Sequence, residues 1–286
     1  MTGAMSSTTS PPSTAVTLHY FVPPKDGESA FQYTYRVEPI TGTDPQRNFS
    51  VEEKDVIIEN ARGNNDLTLD TAGFQYFADP AKHTSFTNEE EIVNEYYPET
   101  VELIKRRTGA SRVVIFDHTI RRRQIGEDGI DENRRQPVSQ VHVDQSTKAA
   151  IDRVHRHLPA EEAPELLKKR FQIINIWRPI EVPALDWPLA LCDYRSVDPS
   201  KDLVPVALIY PQREGETLGV KYNPNHKWKY LHGMTPEEVA FIKCFDSVQD
   251  GSVAVLTPHT GFRDPQTPEN APLRQSIEVR ALVFYD

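Results

Sequence analysis

The chain has 286 residues, which is enough for one sizeable core or two small domains. Hydrophobic content of 38% and charged content of 26% are typical of soluble globular proteins, and a formal net charge of -10 argues against nucleic acid or an anionic membrane as the main partner. The chain has only two cysteines, so no disulfide framework is expected. No apolar run approaches the roughly 18 residues of a membrane-spanning helix, and together these features predict a cytoplasmic protein.

The N-terminal part of the chain is predicted to contain a tail, short strands and one long helix. The first fifteen residues are rich in Ser, Thr and Pro and lack the pattern of a signal peptide, so we expect a disordered tail over residues 1–15 and one domain over 16–286. A helix over 88–108 should be kinked or divided at Pro98. The strands predicted here are 20–22, 31–37, 55–59 and 112–117.

From residue 138 onward the chain is predicted to be mostly β-strand. Ser146 can cap a helix over residues 147–157. Asp250-Gly251 is typical of a hairpin turn, which would lead into a strand over 252–258 with His259 at its end. The other predicted strands in this region are 138–143, 171–177, 189–193, 203–210 and 239–245.

The last predicted strand, 274–285, alternates cleanly between a polar and an apolar face. Arg274, Ser276, Glu278 and Arg280 share the polar face. A strand of this kind fits the wall of a small barrel that holds a ligand. Many short strands, with helices concentrated earlier, predict a mostly β protein with flanking helices (α+β) and a double-stranded β-helix core, the jelly roll of cupins.

The pattern His142-Val-Asp144 is the strongest chemical feature of the chain. It places an imidazole and a carboxylate on one face of a strand end. A distant second His would complete a 2-His-1-carboxylate facial triad, which binds one side of Fe(II) and leaves positions open for cosubstrate and O₂. We predict His259, because it ends an apolar strand and precedes an arginine by fifteen residues; His226 and His232 are the competitors.

The arginine in question is Arg274, with Ser276 two residues beyond it on the same face. A guanidinium fork beside a hydroxyl suits the far carboxylate of 2-oxoglutarate, so we predict that both bind this cosubstrate. Arg280 shares the face and could take the cosubstrate instead. Glu278 lies between the two arginines in sequence, and an internal ion pair with one of them would leave the other free.

Three residues are candidates for substrate contacts. Trp177 and Arg178 are adjacent and so point to opposite faces of their strand, which allows one to line the pocket while the other packs. A core position is the simpler interpretation for Trp177. Tyr194 is the third candidate. The spare arginines suggest a small substrate that carries a carboxylate.

Six short motifs are distributed along the chain: Asn133-Arg-Arg-Gln-Pro137, His142-Val-Asp144-Gln-Ser146, Asn175-Ile-Trp-Arg-Pro179, Pro188-Leu-Ala-Leu-Cys-Asp193, Lys243-Cys-Phe-Asp-Ser247 and Pro258-His-Thr-Gly-Phe-Arg-Asp-Pro265. From about residue 20 to its end the chain resembles the fungal hydroxylase/desaturase family of secondary metabolism, with its gibberellin desaturase-like and aspergillic-acid hydroxylase-like enzymes. This family is similar to the Fe(II)/2-oxoglutarate dioxygenases. The resemblance implies that His142, Asp144 and His259 bind iron and that the C-terminal arginine holds 2-oxoglutarate.

Three hypotheses follow. The first is an Fe(II)/2-oxoglutarate-dependent oxygenase that uses O₂ to hydroxylate, desaturate or oxidatively cyclise a small molecule. The second is an Fe(II) oxidase that uses no 2-oxoglutarate and takes all four electrons of O₂ from its substrate, with Arg274 binding a substrate carboxylate. The third is a non-catalytic jelly-roll binding protein. The motifs favour no particular substrate and no oligomeric state.

Overall fold

The strands form two sheets that face each other. The computed structural model describes residues 12–35, 37, 46–126 and 135–286. The nine-stranded sheet contains, in spatial order, β1 (Ser13–Val22), β3 (Ser50–Asn60), β11 (Trp228–Tyr230), β8 (Leu189–Cys192), β13 (His259–Gly261), β6 (His142–Val143), β10 (Arg213–Val220), β9 (Leu203–Tyr210) and β2 (Ala30–Tyr33). The five-stranded sheet contains β4 (Phe74–Ala78), β12 (Glu238–Asp246), β7 (Phe171–Pro179), β14 (Gln275–Phe284) and β5 (Arg112–Arg122).

The helices are short and lie outside the two sheets. None of those in the described ranges is long and apolar enough to cross a membrane. They are α1 (Glu89–Glu91), a π-helical turn (Ile92–Tyr96), α2 (Tyr97–Thr108), α3 (Thr147–His157), α4 (Ala163–Leu166) and α5 (Pro199–Asp202).

The helical segment 88–108 begins, divides and ends as its sequence predicts. The Asn88 side chain accepts the backbone N–H of Glu90 at 3.0 Å and so caps the first turn. Pro98 has no N–H to complete a regular α-helical ladder, and the turn directly before α2 widens into the π-helical turn. Gly109 ends the helix with a φ of 74°, a left-handed conformation that glycine adopts without a steric penalty.

The apolar face of β14 packs outward, under the helices. Ile277 and Val279 share a buried cluster with Ile174 of β7 and with Leu103 and Ile104 of α2. Because successive strand residues alternate, Ser276, Glu278 and Arg280 therefore face the opposite way, into the space between the sheets. The predicted orientation of this strand is confirmed.

The two sheets contact each other through side chains that fill the interior. Trp177 of β7 and Ile242 of β12, from the five-stranded sheet, share a buried cluster with Leu191 of β8, from the nine-stranded sheet. Two curled sheets that enclose a common interior, with helices outside, are the predicted double-stranded β-helix. The prediction of a mostly β fold is confirmed.

Local patterns failed where long-range pairing decides the structure. The predicted hairpin at Asp250-Gly251 is wrong, because the chain there crosses from β12 in one sheet to β13 in the other. Residues 252–258 are not a strand. Strand β10 was missed, since its sequence contains two Gly and two Glu, residues that strands disfavour; pairing with β9 over its whole length overrides that preference.

Boundaries at the N-terminus and around residue 138 also differ from expectation. Strand β1 begins at Ser13, so residues 13–15 are not part of a tail, and residues 1–11 lie outside the described ranges. The predicted strand 138–143 reduces to the two residues of β6. Asn133 and Arg134 of the first motif also lie outside the described residues.

Candidate metal centre

His142 and His259 are directly opposite each other on neighbouring strands. Strands β6 and β13 pair in antiparallel fashion with these two residues in register, and their ring centroids lie 4.4 Å apart. Val141 and Val143, which alternate with His142, pack in a cluster on the other face of the nine-stranded sheet. Both imidazoles therefore point into the interior between the sheets.

The backbone fixes the tautomer of both rings. Nδ1 of His142 lies 2.8 Å from the Gln140 carbonyl oxygen, and Nδ1 of His259 lies 3.0 Å from that of Thr257. Carbonyl oxygens only accept hydrogen bonds, so each Nδ1 carries the proton and donates it. Each Nε2 then keeps a free lone pair, which is the state that a metal-binding imidazole needs.

Asp144 brings a carboxylate to the same point. Its Oδ1 lies 3.7 Å from Nε2 of His142, and one ligand atom from each of His142, Asp144 and His259 lies within 4.8 Å of the others. Within the described ranges this is the one group of His, Cys, Asp or Glu side chains with metal-binding spacing. Two imidazole nitrogens and one carboxylate match the donor set of a facial Fe(II) site.

The electrostatic surroundings favour the metal-binding protonation states. Burial alone would raise the pKa of Asp144, but the positive charge of Arg280, helped by the two histidines, holds it well below its usual range. Burial, and then the neighbouring His259, lowers the pKa of His142 to about 4. At neutral pH the carboxylate is ionised and the His142 ring is neutral, so neither has to lose a proton to bind a cation.

The competing histidines are engaged elsewhere. Nε2 of His226 lies 3.0 Å from Asp202 Oδ2, and its Nδ1 lies 3.3 Å from the Tyr20 hydroxyl. His232 packs with its ring against Tyr230 at 6.0 Å between centroids. Neither belongs to the group around Asp144.

Arg274 is a buried guanidinium without a carboxylate partner among the described residues. It is 3% exposed, its Nη1 donates to the Trp187 carbonyl oxygen at 2.6 Å, and its plane lies over the Trp177 ring at 5.6 Å. Its Nε is buried and has no hydrogen-bond partner. Burial, and then the charge of Arg121, lowers its pKa to about 9. An anion bound here would accept a hydrogen bond from Nε and would also compensate the buried positive charge.

Gly261 packs closely against this guanidinium. It lies two residues beyond His259 on β13, so it faces the same interior space. A Cβ at Gly261 would lie 3.3 Å from Nη1 of Arg274 and 3.2 Å from the Val138 carbonyl oxygen, closer than side chains normally pack. The absence of a side chain at this position therefore allows β13 and Arg274 to approach each other this closely.

Arg280 has a different environment, although it shares the strand face. Its Nε and Nη2 donate to both oxygens of Asp117, at 2.8 and 2.7 Å, and its Nη1 lies 3.8 Å from Asp144 Oδ1. The expected ion pair of Glu278 with one of these two arginines is wrong. Glu278 instead pairs with Arg121 of β5 at 2.7 Å.

The candidate substrate residues separate into different parts of the fold. Trp177 faces the interior, as its contact with Arg274 requires. Arg178 points the other way: it is 2% exposed and donates to the Tyr96 hydroxyl and the Pro236 carbonyl oxygen beneath the helices. Its assignment to the substrate is corrected to a structural role. Tyr194 packs against the cluster on the outer face of the nine-stranded sheet, away from the triad, and is corrected likewise.

Several interior residues escaped the sequence analysis. Cys244 donates its thiol proton to Asp144 Oδ2 at 3.3 Å, although its sequence context indicates only an ordinary buried cysteine. Asp117, the partner of Arg280, lies at the end of a predicted strand without any motif. Asn175 opposes Arg280 across β7 and β14 and has a buried amide oxygen without a partner. Ser276, in contrast, was predicted from the alternation of β14, and it is buried on the interior face.

Comparisons with known proteins agree with this geometry. A family model described as an oxidoreductase/YMDC permease-like domain matches residues 18–284. The hydroxylase/desaturase efuI of Hormonema carpetanum is 33% identical, with 100% of this chain and 98% of that protein covered. The Fe(II)/2-oxoglutarate-dependent dioxygenase nvfI of Aspergillus novofumigatus is 35% identical, with 92% and 94% covered.

Solved structures give the same picture in three dimensions. The iron and alpha-ketoglutarate-dependent endoperoxidase NvfI superimposes with a TM-score of 0.81 at 31% identity, over 96% of this chain and 98% of that chain. A variant of the same endoperoxidase with one tryptophan replaced by phenylalanine gives a TM-score of 0.82. Sequence similarity at this level along nearly the whole chain, together with a shared fold, shows common descent. The chain therefore belongs to the fungal hydroxylase/desaturase family of Fe(II)/2-oxoglutarate-dependent dioxygenases.

Proposed function

We propose that this protein is a non-haem Fe(II)/2-oxoglutarate-dependent oxygenase that hydroxylates, desaturates or oxidatively cyclises a small molecule in fungal secondary metabolism. The observation that carries the proposal is the group of His142, Asp144 and His259, with ligand atoms within 4.8 Å and both Nε2 atoms free. The family resemblance supports the same chemistry, since relatives are named as dioxygenases that depend on iron and 2-oxoglutarate. When bound, iron and 2-oxoglutarate would supply the activation of O₂ for oxidation of a C–H bond.

Arg274 is the proposed anchor for the far carboxylate of 2-oxoglutarate. Its Nη1 is used by the Trp187 carbonyl, so the edge formed by Nε and Nη2 remains for a bidentate pair with a carboxylate. The Asp186 carboxylate accepts the Arg274 backbone N–H at 2.9 Å and so holds the start of β14 in position. Gly261 lies two residue steps along β13 from His259, or about 7 Å, which is a suitable span for the short dicarboxylate between the iron and Arg274.

Arg280 is proposed to act on the metal side of the pocket instead. Its fork is already occupied by Asp117, and a second carboxylate would have to displace that bidentate pair. Its remaining charge lies 3.8 Å from Asp144 and keeps that ligand ionised. These different surroundings support Arg274 rather than Arg280 as the anchor for 2-oxoglutarate.

A narrow cleft next to the triad, with a cavity volume of about 40 Å³, is the proposed place for one small group of the substrate. It lies between α3 and the hairpin of β9 and β10, and Asp144 and Arg280 form one wall. Arg153 is largely buried there, over the Phe116 ring, with one long ion pair to Asp117 at 3.9 Å. A cation with so loose a partner favours a substrate that carries a carboxylate or another acidic group.

The test of the proposed function is metal-dependent binding of 2-oxoglutarate, which requires no knowledge of the substrate. Anaerobic titration into Fe(II)-loaded protein should show one site, and the same titration into metal-free protein should show far weaker binding. Metal binding without 2-oxoglutarate binding would favour the 2-oxoglutarate-independent oxidase. Failure to bind Fe(II) would favour the binding protein.

Measurements of turnover would then identify the small-molecule substrate. Fractions of a fungal metabolite extract that stimulate O₂ consumption and succinate release contain the small-molecule substrate, and the Asp144→Ala variant is the control. A cytoplasmic location is part of the proposal and is tested by cell fractionation.

A further inference from the structure

The two oxygens of the Asp144 carboxylate have different neighbours. Oδ1 faces the triad, 3.7 Å from Nε2 of His142 and 3.8 Å from Nη1 of Arg280. Oδ2 is 3.3 Å from Sγ of Cys244. An ionised carboxylate can only accept, so the thiol is the donor in this contact. The carboxylate is therefore held from behind by one side chain while its other oxygen points to the metal position.

Strand β12 is shaped to deliver this thiol. Its pairing with β7 shifts register between Lys243 and Phe245, which leaves Cys244 as the extra residue of a β-bulge. Bulges re-aim side chains and often lie next to active sites. Here the bulge turns the thiol toward Asp144, the residue that follows β6 of the opposite sheet.

The bulge is fixed by a buried ammonium group. Lys243 is completely buried, and its Nζ donates to Asp246 Oδ2 at 2.7 Å, the Ala254 carbonyl oxygen at 2.8 Å and Asp70 Oδ1 at 2.9 Å. Asp246 is also fully buried and bound by Arg170 at 2.7 Å. Removing one member of such a network would leave an uncompensated buried charge, so the backbone on both sides of Cys244 is rigidly held.

We propose that Cys244 is a positioning residue of the metal centre: its thiol holds Oδ2 of Asp144, so that Oδ1 is presented to the metal in a fixed orientation. This inference rests on the proposed function, because it assigns the residue that orients one of the proposed iron ligands. Partners that bind a metal ligand from behind typically change metal affinity by about 10–100-fold when they are removed. A thiol is a weak donor, so we expect the lower end of that range.

Cys244 also packs with apolar residues such as Ala150 and Phe171, so loss of packing must be separated from loss of the hydrogen bond. The chain provides a matched control in its other cysteine. Cys192 is equally buried, but its side chain lies in the cluster on the outer face of β8, and its Sγ contacts the Ser196 hydroxyl at 3.6 Å. Loss of packing should lower the stability of the Cys244 and the Cys192 variants alike. A loss of metal affinity should appear only in the Cys244 variants.

The experiment measures Co(II) affinity by anaerobic titration, and the thermal unfolding midpoint of the metal-free protein, for the full chain. Cys244→Ala and Cys244→Val should bind Co(II) about tenfold more weakly. Cys244→Ser keeps a donor and should remain within about threefold of the unchanged protein, as should Cys192→Ala. The valine variant keeps the site filled with an apolar side chain but has no donor, so it reports on the hydrogen bond even if the alanine variant does not fold.

Three results would overturn the inference: unchanged Co(II) affinity in Cys244→Val, an equal loss in Cys192→Ala, or a loss in Cys244→Ser as large as in Cys244→Val. If the unchanged protein itself failed to bind Co(II) or Fe(II), the proposed function would fall, and this inference with it. If it bound metal and 2-oxoglutarate normally while the valine variant matched it, only the positioning role would be lost.

Discussion

Replacing Arg274 by alanine should weaken the binding of 2-oxoglutarate far more than the binding of metal. The guanidinium is 3% exposed and donates Nη1 to the Trp187 carbonyl, which leaves Nε and Nη2 for the ligand. Truncating one partner of a buried hydrogen-bonded charge pair costs about 2–5 kcal/mol. At about 1.4 kcal/mol per decade, the dissociation constant of 2-oxoglutarate should rise by roughly 30-fold to more than 1,000-fold.

Two further variants make this prediction specific. Arg274→Lys keeps a positive charge but cannot form the fork, so its loss of affinity should fall between those of the unchanged protein and the alanine variant. Arg280→Ala should show the opposite pattern, with a larger loss of metal affinity, because Arg280 lies 3.8 Å from Asp144 and pairs with Asp117.

The assay is anaerobic calorimetric titration of 2-oxoglutarate into protein loaded with Mn(II), preceded by a titration of the metal itself. The unfolding midpoint of each variant verifies that it is folded. The assignment is refuted if folded, metal-loaded Arg274→Ala binds 2-oxoglutarate within about threefold of the unchanged protein. A large defect in Arg280→Ala alone would transfer the anchor role to that residue.

The remaining predictions concern the metal ligands, the shape of the pocket and the pH dependence of stability. Alanine at each of the three proposed ligands should abolish stoichiometric Fe(II) binding in an anaerobic titration, whereas His226→Ala and His232→Ala should retain it; the reverse result would identify the wrong distal ligand. Gly261→Ala should weaken 2-oxoglutarate about tenfold without changing metal affinity, since its Cβ would crowd Arg274 at 3.3 Å, and an unchanged affinity would contradict this. Burial lowers the pKa of His226 despite its bond to Asp202, so the unfolded chain takes up that proton first as the pH falls below about 6.5, and native stability should decline from there toward the folded pKa. Chemical denaturation at pH 7.5 and 5.5 should show a smaller decline for His226→Gln, and an equal decline would exclude His226 as the cause.

Local patterns were sufficient for much of the fold and for the chemistry of the site. Ser146 caps α3 over the residues that its position predicts, because a cap depends on a hydrogen bond only three residues away, here to the Ala149 N–H. The alternation of β14 predicted which side chains enter the interior, because a strand's period of two does not depend on its neighbours. At the end of β6, the period of two likewise predicted that His142 and Asp144 point to the same side.

Long-range pairing determined what those patterns could not. The position of His259 opposite His142 follows from strand register, which joins residues 117 positions apart through two very short strands. The same holds for the hairpin predicted at Asp250-Gly251, where the chain instead changes sheets. A turn-forming dipeptide favours a reversal of the chain but carries no information on which sheet receives the next strand.

The sequence by itself determined the residue types of the candidate metal centre, the polar inner face of the last strand and the family of the protein. Only the tertiary structure decided which arginine can form a bidentate pair with a ligand, because Arg274 and Arg280 lie on the same face of the strand. They differ in their distant neighbours: Arg274 donates to the Trp187 carbonyl oxygen, whereas Arg280 is paired with the Asp117 carboxylate. It also decided that Trp177 contacts Arg274 between the sheets while Arg178 lies beneath the helices, and that Cys244 reaches Asp144. Periodicity assigns a side chain to one of the two faces of a strand. Which residues it contacts on that face depends on packing between segments that are far apart in the chain.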